Sequence, residues 1–268
     1  MNSEQPVSLQ VPGLAQALFL HVHPEGDQVI SPRLRAEGIW EPYETQLLLA
    51  LLQPGDVLVD VGANIGYFSL LAAAAVGEQG RVIAFEPHAA NFDLLQRNVA
   101  LNDFASRIEC VCAGLSDRAG AGALYVSAEN SGDHQIYPGA EQRRSAAIKL
   151  LRGADFLRDR LPRIDVVKID TQGSEARVVA GLLPLLQQAG DNLRMLVELT
   201  PFSLRQAGSS GRQLIEQLAL LELPFWIVDH VQHRLWSSSA EDLARWCDNW
   251  DAVPNADGFM NILVGKAP

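Results

Sequence analysis

The fold is decided by the stretch Val57-Leu58-Val59-Asp60-Val61-Gly62-Ala63-Asn64-Ile65-Gly66. Its first half, Val57–Val61, is a nearly continuous apolar run, which is typical of a strand buried on both faces of a parallel sheet. Its second half contains two glycines and opens a helix that we predict over Ile65–Val76. Open α/β sheets bind ligands at such a junction, outside the carboxyl ends of the strands, so we expect the site here.

Strand and helix patterns alternate on both sides of this stretch. We predict further strands at Arg81–Phe85, Arg107–Cys112, Asp165–Ile169, Arg194–Leu199, Phe225–Val228 and Phe259–Val264. Helices are predicted at Pro42–Leu52, Asn91–Leu101, Ser174–Gln188 and Gln213–Leu221. This rhythm predicts an α/β fold with a doubly wound, mostly parallel, seven-stranded sheet, in which the last strand runs antiparallel.

Two parts of the chain lie outside this pattern. Residues 1–53 form a predicted N-terminal extension, with a hairpin of Ala17–His23 and Gln28–Ser31 and then the first helix, and residues 54–268 form the main domain. The segment Gly114–Ala147 is rich in Gly, Ser and Asp and contains one strand-like piece at Leu124–Ser127. We interpret it as a loop and hairpin over the sheet edge, and long irregular insertions of this kind are often functional.

Composition excludes several classes of partner. The formal net charge of -11 argues against nucleic acid and anionic lipid as partners, because both need a basic surface. The apolar runs are too short to span a bilayer. Three cysteines and an N-terminus without basic residues predict reduced thiols in the cytoplasm. The C-terminal tryptophans fit an acceptor pocket, the core or the interface of a homo-oligomer.

The residues around the glycine loop indicate the cofactor. Gly62 and Gly66 allow the backbone to approach a ligand, and Glu86, at the end of the next strand, is placed to accept hydrogen bonds from ribose hydroxyls. The spacing Gly-x-x-x-Gly is not the G-x-G-x-x-G of dinucleotide folds, and Asp60 at the strand end would lie beside a pyrophosphate. These features favour S-adenosyl-L-methionine (SAM) over NAD, whose use by an oxidoreductase is the alternative.

Four motifs in this order resemble the FkbM-type methyltransferases, and a fifth precedes them. The motifs are Asp60–Tyr67, Phe85–Pro87, Leu95–Asn102 and Val167–Glu175, preceded by Trp40–Thr45. The resemblance runs from about Gly38 to Leu199 and implies a class I, Rossmann-like, SAM-dependent enzyme. Members of that family mostly methylate hydroxyls of sugars, polyketides and other secondary metabolites. Gln172 departs from the pattern, since many relatives carry Glu there.

The resemblance also implies contacts to the cofactor. Glu41 and Thr45 would close over the methionine end, although Glu41 also suits the first turn of a helix. The other implied contacts come from the glycine loop, the Phe-Glu-Pro motif, the next helix and the segment after the third strand: Asp60, Gly62, Ala63, Asn64, Gly66, Glu86, Pro87, Asn91 and Ser116. Asn91 could instead cap its helix and Ser116 could be a turn residue.

Asp170 and His134 are the candidates for the chemical step. Asp170 ends the fourth strand, where it could take the proton of an attacking hydroxyl, hold the amino group of SAM, or cap the following helix. His134 lies in a polar loop and is either a general base or a solvated side chain. We therefore expect O-methylation of a small-molecule or glycan acceptor without a metal ion. The alternatives are an N-methyltransferase acting on an amine or peptide and a non-catalytic SAM-binding protein.

Overall fold

A computed structural model of the chain describes residues 5–139, 143–253 and 258–268. The strands are β1 (Val7–Ser8), β2 (Phe19–Leu20), β3 (Val57–Val61), β4 (Arg81–Phe85), β5 (Ile108–Val111), β6 (Gly114–Ser116), β7 (Gly120–Val126), β8 (Arg144–Arg152), β9 (Val166–Ile169), β10 (Arg194–Leu199), β11 (Phe225–Asp229), β12 (Arg234–Ser238) and β13 (Met260–Gly265). The helices are α1 (Ile30–Glu37), α2 (Pro42–Leu51), α3 (Tyr67–Val76), α4 (Ala89–Leu101), α5 (Gly153–Leu157), α6 (Glu175–Ala189), α7 (Pro201–Gln206), α8 (Gly211–Ala219) and α9 (Ala240–Asp251), with a 3₁₀ turn at Gly190–Asn192.

The central sheet confirms the predicted α/β fold. Its strands lie in the order β12-β11-β13-β10-β9-β3-β4-β5. The pairs from β10 through β9, β3 and β4 to β5 are parallel, and β13 runs antiparallel between β10 and β11 as expected. The predicted count of seven strands is wrong, because Arg234–Ser238 pairs antiparallel with β11 and adds an eighth strand at the edge. That strand is mostly polar and partly exposed, so it lacks the apolar run that marks the others.

Strand β3 is buried on both faces, as its apolar sequence predicts. Leu58 packs with α3 and α4 on one face of the sheet, in a cluster that contains Leu71 and Leu95. Val59 and Val61 belong to a second cluster on the opposite face, with residues of α6 and α8 such as Val179. Helices therefore cover both faces, which is the doubly wound arrangement.

The five predicted helices, α2, α3, α4, α6 and α8, begin and end within about two residues of the predicted positions, whereas α1, α5, α7 and α9 were not predicted. Helix α3 begins at Tyr67 rather than Ile65 because Gly66 adopts a left-handed conformation with φ 92°. Within the described ranges, no helix is both long and apolar enough to cross a membrane.

The N-terminal hairpin predicted at Ala17–Ser31 is wrong. Phe19–Leu20 pairs instead with Val7–Ser8, and Ile30–Glu37 forms helix α1. The carboxylate of Asp27 accepts hydrogen bonds from the backbone N–H groups of Ile30 and Ser31, which stabilises the start of that helix. Buried leucines of the extension, including Leu20 and Leu34, join the core cluster of α3 and α4. The predicted boundary at residue 53 stays a prediction, and its residues 1–4 lie outside the described residues.

The segment predicted as a loop and hairpin over Gly114–Ala147 is more regular than expected. Strands β6, β8 and β7 form a separate three-stranded sheet in that order, with β7 and β8 antiparallel. Residues 140–142 of the predicted segment lie outside the described residues. A chain of small residues, Gly-Ala-Gly-Ala, gives β7 little apolar signal, which is why the sequence indicated only its second half.

Candidate active site

A cavity of about 380 Å³ lies at the carboxyl ends of β3, β4, β9 and β10. The turn after β3 and the residues that follow the other three strands form its floor, in the position that parallel sheets use for ligands. The small sheet of β6, β7 and β8, the residues just before α2 and the segment 130–136 form its remaining walls.

Most of the predicted site residues lie on this cavity. Those that line it are Glu41, Gly62, Ala63, Asn64, Glu86, Pro87, Asn91, His134 and Asp170. Thr45, Asp60, Gly66 and Ser116 do not line it, and each has a partner within the protein instead. The structure thus brings together residues from four strand ends that are far apart in the sequence.

Thr45 supports the wall formed by Trp40 and Glu41. Its hydroxyl donates to the backbone oxygen of Trp40 at 2.7 Å and lies 3.1 Å from the hydroxyl of Tyr67, which accepts from the N–H of Trp40. These contacts hold the residues before α2 against the cavity.

Asp60, Gly66 and Ser116 have other structural partners. The carboxylate of Asp60 is buried and accepts a hydrogen bond from the hydroxyl of Ser69 at 2.5 Å, and its burial raises its pKa. Gly66 packs against Leu95, which a Cβ would approach to 2.6 Å. The hydroxyl of Ser116 donates a hydrogen bond to a carboxylate oxygen of Asp117 at 2.9 Å.

Glu86 is presented to the cavity by two backbone groups. One carboxylate oxygen accepts from the N–H of Asn64 at 2.9 Å and the other accepts from the N–H of His88 at 2.8 Å. Burial raises the pKa of Glu86 to about 7 against the opposing effect of these two bonds. A carboxylate oxygen has more than one lone pair, so each retains the capacity to accept a further hydrogen bond from a ligand.

A buried lysine organises the acidic side of the cavity. The ammonium of Lys168 lies 3.2 Å from a carboxylate oxygen of Asp170 and 3.7 Å from one of Glu44, and 4.4 Å from the ring centre of Phe68. Burial disfavours its charge, but Asp170 and Glu44 more than offset that effect and raise the pKa of Lys168. Lys168 therefore stays charged and orients Asp170 at the cavity wall.

Gln172 connects two carboxylates on neighbouring strand ends. Its side-chain N–H₂ group donates to Asp170 at 3.0 Å and to Glu198 at 2.7 Å. Burial, followed by the negative charge of Asp170, holds the pKa of Glu198 well above its usual range. Burial and then Glu44 raise the pKa of Glu41 to about 8. Burial thus favours the protonated form of the Glu41 and Glu198 carboxyl groups at this end of the cavity.

Three of the six described non-glycine residues with positive φ angles lie on the cavity. Glu41, Asn64 and Gln172 adopt positive φ angles of 41°, 50° and 51°, which non-glycine residues rarely do. Each such residue costs on the order of 1–3 kcal/mol and is retained where the surroundings fix it, which is common at functional sites.

His134 lies on the β4 side of the cavity, away from Asp170. Its Nδ1 accepts from the N–H of Ser127 at 3.2 Å, and its Nε2 lies 3.0 Å from Nδ1 of His88. Burial and then His88 lower the pKa of His134 to about 3. Both ring nitrogens of His134 therefore have partners within the protein. Its partner His88 follows β4, which lies two strands from the β9 that carries Asp170. These contacts hold the segment of His134 in place and leave neither ring nitrogen free.

Sequence reasoning missed several cavity residues. Three of them lie at or just after the carboxyl ends of strands β9 and β10: Lys168, Gln172 and Glu198. The expectation that ligands bind at the carboxyl ends of parallel strands, which pointed to Asp170, would also have pointed to these residues. Leu124, Ile148 and Leu150 of the small sheet form an apolar slot beside Leu115, and the sequence carried no signal for it because the strands were not predicted in full. In the parts of the chain that the structure describes, no group of three His, Cys, Asp or Glu side chains is arranged to hold a metal ion.

Comparison with known proteins decides the family. The family model described as the methyltransferase FkbM domain matches residues 60–236, about two thirds of the chain. The chain belongs to the FkbM methyltransferase family. The resemblance of the motifs is thereby confirmed, and the oxidoreductase alternative falls away. The matched range includes the strand ends that carry Glu86, Asp170 and Glu198.

Several curated relatives of this FkbM-family chain are named as methyltransferases. Methyltransferase sdnD of Sordaria araneosa is 32% identical over 164 residues, covering 50% of this chain and 63% of its own. Hexuronic acid methyltransferase AglP of Haloferax volcanii is 31% identical over 145 residues, covering 53% and 56%. The 31-O-demethyl-FK506 methyltransferase FkbM of Streptomyces tacrolimicus is 30% identical over 162 residues, covering 49% and 61%. The chain spans less than two thirds of the length of these relatives.

A solved structure of the same family shows a weaker likeness. The methyltransferase FkbM from Methylobacillus flagellatus KT superposes with a TM-score of 0.48 at 15% identity, covering 78% of this chain and 43% of that one. The assignment of the fold therefore relies on the strand order of this chain itself, in which β13 lies antiparallel between β10 and β11.

Proposed function

We propose that this chain transfers a methyl group from SAM to a hydroxyl group of a small molecule or glycan. The observation that carries the proposal is the geometry of Glu86, whose two carboxylate oxygens are fixed by backbone N–H groups and still face the cavity. A carboxylate held in this way suits the paired hydroxyls of a ribose, which donate to it.

The cavity has walls that suit the other parts of SAM. The apolar slot of Leu115, Leu124, Ile148 and Leu150 lies beside Pro87 and fits an adenine ring, in place of the contact that we expected from Ser116. Asn64 presents a buried side-chain oxygen that has no hydrogen-bond partner among the described residues, as expected of a group that a ligand completes. The carboxylate of Asp170, beside Glu41 on the cavity lining, suits a ligand end that carries positive charge.

SAM supplies an electrophilic methyl group when it is bound, so the protein's work is to align an acceptor and to take its proton. Asp170 is oriented by Lys168 and Gln172, which suits it to fix a ligand group. Glu198 and Glu41 have raised pKa values, so only their ionised fraction, which grows with pH, can accept a proton, and that fraction is a stronger base for a hydroxyl proton than an ordinary carboxylate. We therefore propose that the proton acceptor is a carboxylate of this wall and that His134 positions its segment.

The hydroxyl acceptor is supported by the relative that is named for an O-demethyl compound. The relative that is named for a hexuronic acid supports a sugar as the acceptor class. Thr200 and Phe259 line the acceptor side of the cavity, and Phe259 is 61% exposed at its mouth. An exposed aromatic ring beside polar groups suits a hydroxylated ring system.

The proposal is tested by incubating the protein with SAM that carries a labelled methyl group and with pools of hydroxylated metabolites and oligosaccharides. We expect formation of S-adenosylhomocysteine together with a product that is one methyl group heavier and carries the label on oxygen. A Glu86→Ala variant should form both more slowly when SAM is limiting. Label on nitrogen would replace the hydroxyl acceptor with an amine, and S-adenosylhomocysteine formation that is unchanged in Glu86→Ala would contradict the site.

A further inference from the structure

The segment Ser127–Tyr137, which we call the strap, crosses one side of the cavity. Gln135 exchanges two backbone hydrogen bonds with Tyr125 of β7, at 2.7 and 3.1 Å. At its far end the hydroxyl of Tyr137 donates to the hydroxyl of Ser203, just after the start of α7, at 3.1 Å. The strap residues that line the cavity are Asn130, Ser131, Gly132, Asp133, His134 and Ile136.

Ser131 is the strap residue whose polar group lacks a partner. The residue is 8% exposed and lines the cavity, and its hydroxyl oxygen is buried without a hydrogen-bond partner among the described residues. Its backbone, in contrast, is held on both sides, because its N–H donates to Asp27 at 3.3 Å and its carbonyl accepts from Asn91 at 3.1 Å. A buried hydroxyl with no partner is costly, which is the condition of a group that a ligand completes.

The neighbours of Ser131 place it beside Glu86. Asn91 belongs to the first turn of α4, which begins just after Glu86, Pro87 and His88. On the other side, a Cβ on Gly132 would lie 3.7 Å from the side-chain nitrogen of Asn64, whose backbone N–H donates to Glu86. Ser131 therefore faces the wall of the cavity on which Glu86 is presented.

The chemistry of Ser131 complements that of Glu86. An ionised carboxylate only accepts hydrogen bonds, so it takes the two protons of a ribose diol and leaves the diol oxygens free to accept. A serine hydroxyl can donate to such an oxygen. From this arrangement we infer that the hydroxyl of Ser131 binds the ribose of SAM next to Glu86, an inference that rests on the proposed function.

The inference is tested by titration calorimetry with S-adenosylhomocysteine and with methylthioadenosine, which keeps the ribose and lacks the amino-acid end. Loss of one hydrogen bond of about 0.5–1.5 kcal/mol corresponds to roughly a 2- to 12-fold weaker binding, and we expect Ser131→Ala to lose that much for both ligands. Because the backbone of Ser131 has its own partners and the substitution removes a buried hydroxyl that has none, the melting temperature of the unliganded variant should equal or exceed that of the wild type. Ser145→Ala, at an exposed position of β8, is the matched control and should bind as the wild type does.

Analogues of methylthioadenosine that lack one ribose hydroxyl give a second measurement. Against the analogue that lacks the contacted hydroxyl, wild type and Ser131→Ala should bind equally. Equal binding of the complete methylthioadenosine by both proteins would overturn the inference, and so would a loss confined to S-adenosylhomocysteine, which would move Ser131 to the amino-acid end. In both cases wild-type binding leaves the proposed function standing, whereas a wild type that binds neither ligand overturns both.

Discussion

A side chain on Gly62 would overlap the backbone carbonyl oxygen of Asp170. The turn after β3 therefore packs directly on the residue that ends β9, and Gly62 adopts a φ of 88° to do so. From the sequence we expected this glycine to make room for a ligand. In the structure the absence of a side chain on Gly62 allows the turn after β3 to contact the end of β9. These two parts of the cavity lining therefore pack directly on each other.

Gly62→Ala should consequently destabilise the whole protein. Gly55 has the same φ of 88° with open space where its Cβ would lie, so Gly55→Ala isolates the cost of the conformation alone. We expect Gly55→Ala to lose about 1 kcal/mol and Gly62→Ala to lose roughly 1–3 kcal/mol more, measured by urea unfolding. Equal losses of unfolding free energy in the two variants would show that the close approach of Gly62 to Asp170 does not contribute to stability.

Lys168→Met should be strongly destabilising. The substitution keeps a long side chain but leaves the carboxylates of Glu44 and Asp170 without their cation, and removal of one member of a buried ion pair costs about 3–5 kcal/mol. The exposed Lys149 offers the control Lys149→Met, for which we expect a change within about 0.5 kcal/mol. A Lys168→Met protein as stable as the control would refute the role of Lys168 as the organising charge.

Tyr137→Phe should loosen the far end of the strap. The variant loses the hydrogen bond to Ser203 and keeps the ring that packs near Gly173. We expect faster amide hydrogen exchange over residues 127–137 with little change in the central sheet, as measured by mass spectrometry. Tyr125→Phe is a control on β7, since Tyr125 is bonded to the strap through its backbone. Unchanged exchange in Tyr137→Phe would mean that the strap does not depend on this anchor.

The affinity for methylthioadenosine should depend on pH through Glu86. Burial raises the pKa of Glu86 to about 7, so the protonated form predominates below that pH and cannot accept two ribose protons. Affinity should therefore rise as the pH increases through about 7 and level off above it, with a slope of at most about tenfold per pH unit. The Glu86→Gln variant should bind weakly with a flat profile; a profile that stays sloped in that variant would assign the titration to another group.

The sheet was largely predictable because its strands are buried on both faces and bounded by Gly and Pro. Val57–Val61 and Arg194–Leu199 were predicted to the residue, since a buried parallel strand leaves a continuous apolar run. Strand β12 was missed because an edge strand needs no such run. The start of helix α1 was mistaken for the strand Gln28–Ser31 because Asp27, whose carboxylate stabilises that start, lies between the two predicted strands of the hairpin.

The floor of the cavity was predictable and its walls were not. Glu86 and Asp170 follow strands, so the strand rule located them. Ser131 and Leu124 reach the cavity through the small sheet and the strap, whose positions depend on tertiary contacts such as that between Asn91 and Ser131. His134 was found by residue type alone, and its contact with His88 could not be inferred from the sequence.

The central claim is that this cavity binds SAM through Glu86. Titration calorimetry of the wild type and of Glu86→Ala with SAM tests it most directly, with NAD as the comparison ligand. We predict that the wild type binds SAM and not NAD, and that Glu86→Ala binds SAM more weakly by about 1–3 kcal/mol, the cost of losing a charged hydrogen-bonding partner. Wild-type protein that fails to bind SAM, or a Glu86→Ala variant with wild-type affinity, would contradict the account.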